Sequence, residues 1–172
     1  MTVTGSYLGM ELRIDAFDQE NLAYFGHCAA GVFHLQRCAG CELLRYPPTT
    51  GCPWCSEPEA VWTPVEGCGT VHSYAEVHHA IQPAFKGHLP YLVLIVELEA
   101  QRGRPGAEDA LRVAGNLATP EGELAPAELV ASVGIGTPVR MVFKPVAQGL
   151  AIPLWTPEAA APSGEAWRYP ET

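Results

Sequence analysis

Four of the six cysteines have types and spacing that suit chemistry. Cys38-Ala39-Gly40-Cys41 and Cys52-Pro53-Trp54-Cys55 are two CxxC pairs separated by ten residues. Each pair sits on a tight turn that lets two sulfurs approach one ion, and Gly40 offers the backbone freedom such a turn needs. Four thiolates close a tetrahedral shell with no open position for water or substrate, so the expected role is structural. Zinc (Zn2+) is the expected ion from ligand softness and geometry. A rubredoxin-like iron centre and a metal-free set of thiols are the alternatives. A redox CxxC fits less well, because there are two matched pairs and neither opens a βαβ unit.

The remaining chemistry is sparse. Cys28 and Cys68 stand outside the pattern and read as small buried hydrophobes; a nucleophilic Cys68 beside His72 would need a base and an oxyanion site that the sequence does not show. His78 and His79 are adjacent, so on a strand they face opposite sides and cannot form one metal face. There is no nucleophile elbow, phosphate-binding loop or HExxH helix. A binding module fits this inventory better than a self-contained enzyme.

Composition narrows the classes further. The 172 residues are 48% hydrophobic and 17% charged, with a formal net charge of -9 and only 10 Lys and Arg. Phosphate contacts dominate nucleic-acid affinity, and the basic footprint they leave is missing; adsorption to anionic lipid is disfavoured for the same reason. The longest apolar run, Tyr91 to Val96, is too short to span a bilayer, and the start has no signal-peptide pattern. A cytoplasmic location with reduced thiols is expected.

The elements around the cysteines follow from periodicity. Residues 1–33 read as an N-terminal helical segment, with Asp18 capping a helix through Phe25, Gly26 stopping it, and Leu22, Phe25, Ala29 and Phe33 as its apolar stripe. Residues 34–60 form the zinc ribbon, too rich in Pro and Gly to fold without a staple. Residues 61–156 turn β-like. Gly69–His78, Tyr91–Glu97, Leu111–Leu117, Pro138–Pro145 and Gly149–Trp155 are strand candidates, with a short helix within Pro120–Val133. Gln101–Asp109 is a polar turn, and 157–172 is a C-terminal tail. Strands of this number and spacing suit a five-stranded OB-fold barrel, so the fold class is mostly β with N-terminal helices and a rubredoxin-like ribbon. The loop from His79 to Pro90 places Ile81 and Phe85 in a connection of the kind that carries function on a rigid barrel.

The order of motifs is specific. Phe33-His34-Leu35-Gln36-Arg37-Cys38 leads into the ribbon, and Tyr46-Pro47-Pro48 lies between the cysteine pairs. Then come Gly69-Thr70-Val71-His72-Ser73-Tyr74, Pro83-Ala84-Phe85, Leu89-Pro90-Tyr91, Gly115-Asn116-Leu117, Ile135-Gly136-Thr137-Pro138-Val139 and Gly149-Leu150-Ala151-Ile152-Pro153. Over roughly residues 17 to 156 this resembles the zinc-ribbon plus OB-fold proteins found with thiolases, domain of unknown function family 35.

The resemblance implies an accessory subunit of an acyl-CoA thiolase or aldolase complex. It would bind a thiolase-like or lipid-transfer-protein-type partner and help form a CoA thioester site for carbon–carbon cleavage or formation, including retro-aldol cleavage in steroid side-chain degradation. It would have no membrane partner. By the same resemblance, His79, Ile81, Pro83, Phe85, Lys86 and Tyr91 are candidates for the CoA channel or partner loop. Leu22, Phe25 and Phe33 are candidates for docking, and Lys86, Arg37 and Arg45 for phosphate contacts. The alternative function is single-stranded nucleic-acid binding with Tyr74, Phe85 and Tyr91 as stacking faces, which the acidic balance opposes.

Overall fold

The computed structural model describes residues 1–158 and 166–170. Two strands, β1 (Val3–Tyr7) and β2 (Met10–Ile14), open the chain as a hairpin. Helix α1 (Gln19–Ala29) follows. A three-stranded sheet holds the cysteines, built from β3 (His34–Cys38), β4 (Leu44–Arg45) and β5 (Ala60–Pro64) in the order β4-β3-β5. The second sheet comprises β6 (Cys68–Val77), β7 (Tyr91–Leu98), β8 (Arg112–Asn116), β9 (Pro138–Ala147) and β10 (Leu150–Pro157), in the order β10-β9-β6-β7-β8. Helix α2 (Ala127–Ser132) lies between β8 and β9.

The five barrel strands form where apolar and β-branched residues alternate. Along β7, Leu92, Leu94, Val96 and Leu98 are fully buried while the residues between them are half-buried, the pattern of a strand with one face on a core. Leu117, just past β8, makes a parallel bridge to Trp155 of β10 and closes the sheet on itself. Trp155 is fully buried at that seam, against Gly115, where a Cβ would sit 2.8 Å from the indole. The architecture is therefore mostly β, with a small cysteine-bearing sheet followed by a five-stranded barrel.

The N-terminal segment departs from the expected helical reading of residues 1–33. Only α1 is helical there, and the first fourteen residues form the β1–β2 hairpin around Leu8 and Gly9, both at positive φ. Asp18 caps α1 as expected, its carboxylate accepting from the Asn21 N–H at 3.2 Å. Gly26 does not stop the helix; it runs to Ala29, and the left-handed residue is Gly31.

The buried face of α1 is Tyr24 and Cys28, one helical turn apart. Leu22 and Phe25 lie beside that face and Ala29 is exposed, so the expected stripe is rotated. Phe33 is buried in the common core against Tyr24, because it lies past the helix on the turn into β3.

The polar segment Gln101–Asp109 begins inside the molecule. Gln101 is 2% exposed, and its amide pairs with the Leu44 backbone, accepting from the N–H at 2.6 Å and donating to the carbonyl at 3.5 Å. This side chain acts as a substitute strand on the outer edge of β4 and ties the cysteine sheet to the barrel. Of the expected tail at 157–172, residues 159–165 and 171–172 lie outside the described residues. Trp167 makes an antiparallel bridge with Ile135. Arg168 donates to the carbonyls of Val130 and Val133 at the end of α2 and to the Glu76 carboxylate.

Candidate metal centre and flanking loop

The two CxxC pairs converge from separate turns. The Cys38 N–H is held by the Leu43 carbonyl at 3.0 Å and the Cys52 N–H by the Glu57 carbonyl at 2.9 Å. The Glu42 N–H then reaches the Cys38 carbonyl at 3.1 Å, and the Ser56 N–H the Cys52 carbonyl at 2.9 Å. The left-handed residue in each turn follows the second cysteine: Glu42 at φ 62° and Ser56 at φ 64°. Gly40 serves a different need from the one expected. It is not left-handed; a Cβ there would press on the Glu57 side chain at 3.2 Å and come within 3.5 Å of the Cys55 sulfur. It admits the opposite turn.

All four sulfurs lie within 4.8 Å of one another. Cys38 Sγ is 3.5 Å from Cys55 Sγ, and Cys41 Sγ is 3.6 Å from Cys52 Sγ. These separations far exceed a disulfide bond of ~2.05 Å, and none of the six cysteines is bridged. They approach the edge of a tetrahedron with Zn–S bonds of ~2.3 Å, which is ~3.8 Å. The donor set therefore fits one tetrahedral metal ion. Cys38 and Cys52 are buried, Cys41 is half-buried and Cys55 is exposed.

Burial pushes the Cys38 thiol up. Hydrogen bonds from the Cys41 backbone, the Arg45 side chain and the Gly40 backbone outweigh it and bring the thiol down to about 6. Cys52 is likewise drawn down, while, against hydrogen bonds from the Leu43 and Glu57 backbones, burial and the neighbouring cysteines push Cys41 up to about 12 and Cys55 up, so the four thiols titrate as one set.

The other two cysteines behave differently. Cys28 is 1% exposed and burial pushes its thiol up to about 12. Burial also raises Cys68, with the Glu158, Glu99 and Glu66 carboxylates adding to it. That is the opposite of an activated thiolate. His72 faces Glu97 at 3.7 Å, and His78 faces Glu76 at 3.3 Å.

The loop candidates sit together at one end of β7. Pro83–His88 is a short 3-10 helix. Phe85 packs on Tyr91 with ring centroids 5.0 Å apart and edge-on against Tyr7 at 6.2 Å. The hairpin thus supports the loop from below, a role for Tyr7 that the sequence reading missed. Ile81 is 90% exposed, and Pro83, Lys86 and His79 are also exposed. Phe17, just ahead of α1, is a second exposed apolar side chain that went unnoticed.

The three proposed stacking faces are not equivalent. Tyr74 is covered by Tyr169 at 5.8 Å and by the Arg168 guanidinium at 5.3 Å, so it does not offer a free face. Arg45, a candidate phosphate contact, is 1% exposed and faces inward. Arg37 donates to the Glu42 carbonyl at 3.2 Å.

Comparison with known proteins places this architecture. Residues 62–144 match the family described as ChsH2, C-terminal OB-fold domain. A solved structure described as an Ltp2-ChsH2(DUF35) aldolase contains a chain that is 30% identical and superposes with a TM-score of 0.62, covering 84% of this chain and 98% of that one. The chain belongs to the DUF35 family. A curated relative from Thermomonospora curvata, named "Probable enoyl-CoA hydratase alpha subunit", is 40% identical to this DUF35 chain over 85 residues, which is 48% of this chain. The DUF35 chain spans 25% of that relative's length. Among the described residues, no helix is long and apolar enough to cross a membrane.

Proposed function

We propose that this DUF35 chain is an accessory subunit of an acyl-CoA aldolase or thiolase complex, carrying one structural zinc ion. The observation that supports it best is the likeness to the aldolase chain, 30% identical over 84% of this sequence and 98% of that chain. Cys38, Cys41, Cys52 and Cys55 are the ligands. With all four positions filled by sulfur, the ion supplies rigidity to the sheet and no open coordination position for substrate.

The partner is a thiolase-like, lipid-transfer-protein-type subunit that carries the carbon–carbon chemistry, with retro-aldol cleavage of a steroid side chain as the specific case. The Ile81–Tyr91 loop faces the CoA thioester: Phe85 and Tyr91 give an apolar wall and Lys86 a cation for phosphate. His79 and Pro83 frame the same loop. Leu22 and Phe25 of α1 offer docking area; Phe33, being buried, does not.

The test is co-expression with a thiolase-like protein from the same source, followed by purification on a tag carried by this chain alone. A stable hetero-oligomer is expected, with acyl-CoA cleavage faster than for the partner alone and weakened by Phe85→Ala. Failure to form a complex, together with full activity of the partner by itself, would overturn the proposal.

A further inference from the structure

The most deeply buried cation of the cysteine sheet is Arg45, on β4 opposite Gln36 of β3. Its guanidinium gathers the second cysteine turn. One terminal nitrogen donates to the Glu57 carbonyl at 2.6 Å and the Glu59 carbonyl at 2.8 Å; the other donates to Pro58 at 3.2 Å and Thr49 at 3.5 Å. The remaining donor, Nε, is buried and has no hydrogen-bond partner among the described residues. A buried donor left unmade costs about 1–3 kcal/mol, so a well-packed interior rarely keeps one without a reason. The Glu57 carbonyl that accepts from Arg45 also accepts from the Cys52 N–H at 2.9 Å, which puts the guanidinium one hydrogen bond away from a ligand.

The charge balance gives that placement a purpose. A dication held by four thiolates carries a net charge of about -2. Residues 34–60 offer two cations, Arg37 and Arg45, against three carboxylates, Glu42, Glu57 and Glu59. Arg37 is half-buried and donates to the Glu42 backbone carbonyl, whereas Arg45 is fully enclosed in the ribbon. An unneutralised anionic cluster with two buried ligands would be costly to desolvate.

We propose that Arg45 is a positioning residue for the metal centre. It holds the Glu57–Glu59 segment against the first cysteine turn through its terminal nitrogens, and its buried positive charge offsets the anionic cluster. The inference rests on the proposed occupancy of the site by zinc. Groups that orient or neutralise ligands from outside the coordination shell typically carry 10–100-fold of metal affinity.

The test measures zinc affinity of the full chain by competition with a chromophoric chelator, for the natural protein and for Arg45→Lys, Arg45→Gln and Arg45→Met. Cobalt absorption serves as the spectroscopic readout. Arg45→Met and Arg45→Gln are expected to lose about 10–100-fold in affinity and to shift the thiolate-to-cobalt band. Arg45→Lys, which keeps the charge but not the fork, is expected to fall between them and the natural protein. A purely structural strut would lower the melting temperature of all three variants alike and leave the cobalt band in place.

Equal affinities for Arg45→Lys and Arg45→Gln, or an unshifted band, would overturn the proposal. If Arg45→Met and Arg45→Gln do not fold in excess zinc, Arg45→Lys decides: it must show weaker zinc binding and a shifted band, and natural values for both overturn the proposal. Absence of bound zinc from the natural protein would instead sink the occupancy reading, so the two failures are distinct.

Discussion

Replacing Gln101 by Ala removes the side chain that joins the two sheets. The Leu44 N–H is 2% exposed in its residue and donates to Gln101 Oε1 at 2.6 Å; the return bond to the Leu44 carbonyl is 3.5 Å long and contributes less. Truncation leaves that N–H buried without an acceptor, at a cost of about 1–3 kcal/mol. Lost amide packing adds to this, giving a total of about 2–3 kcal/mol. For a chain of this size each kcal/mol moves the midpoint by about 2–4 °C, so thermal unfolding should begin about 4–12 °C lower. The measurement is calorimetry with zinc at saturating concentration, combined with hydrogen exchange at the Leu44 amide. Gln101→Glu should be at least as damaging, because it buries a charge and sets an oxygen against the Leu44 carbonyl. A loss below about 0.5 kcal/mol, the range of an ordinary surface substitution, would refute the clamp. So would a larger loss with unchanged exchange at Leu44.

Two further outcomes follow from the same geometry. Burial and the nearby His34 ring, stacked at 3.9 Å, hold the His27 imidazole below its usual value, so the unfolded chain takes up that proton first. The stability from neutral His27 is present above about 6.5 and falls as the solution is acidified below it. A proton NMR titration should place the midpoint below 6.5, and His34→Gln should recover only part of the shift, because burial remains. At the barrel seam, Gly115→Val puts a Cβ 2.8 Å from the Trp155 ring. It should cost about 1–3 kcal/mol of overpacking, read by chemical denaturation, with no change in bound metal.

The barrel was largely legible because its strands announce themselves. The run Tyr91–Val96 and the alternation of Val139, Met141 and Phe143 lie within β7 and β9 as expected. The cysteine spacing likewise predicted four sulfurs at one point. What escaped notice had a physical cause in each case. The β1–β2 hairpin turns on Leu8 at φ 51°, and a bulky residue at positive φ is not a turn signal that sequence offers. Arg45 is expected at a phosphate contact because arginines are mostly exposed; its burial depends on carbonyls contributed by residues 49 and 57–59, beyond any local window. Gln101 opened a stretch of Gly, Arg and Pro that looked like solvent-facing ornament. Its partner, Leu44, is 57 positions away.

The bridge from Leu117 to Trp155 does more than complete a core. An open sheet ends in rows of unpaired amides, which invite strand addition and aggregation. Here the larger sheet returns to itself, and the Ala118 N–H reaches the Trp155 carbonyl at 2.7 Å across the join. The closure rests on a single bridge just past β8, so strand addition is blocked at the join itself, where a neighbour meets side chains instead of free amides. The outer edge of β5 and the β1–β2 hairpin are further places, among the described residues, open to backbone pairing with a neighbour. They lie at the cysteine sheet and at the support of the Phe85 loop.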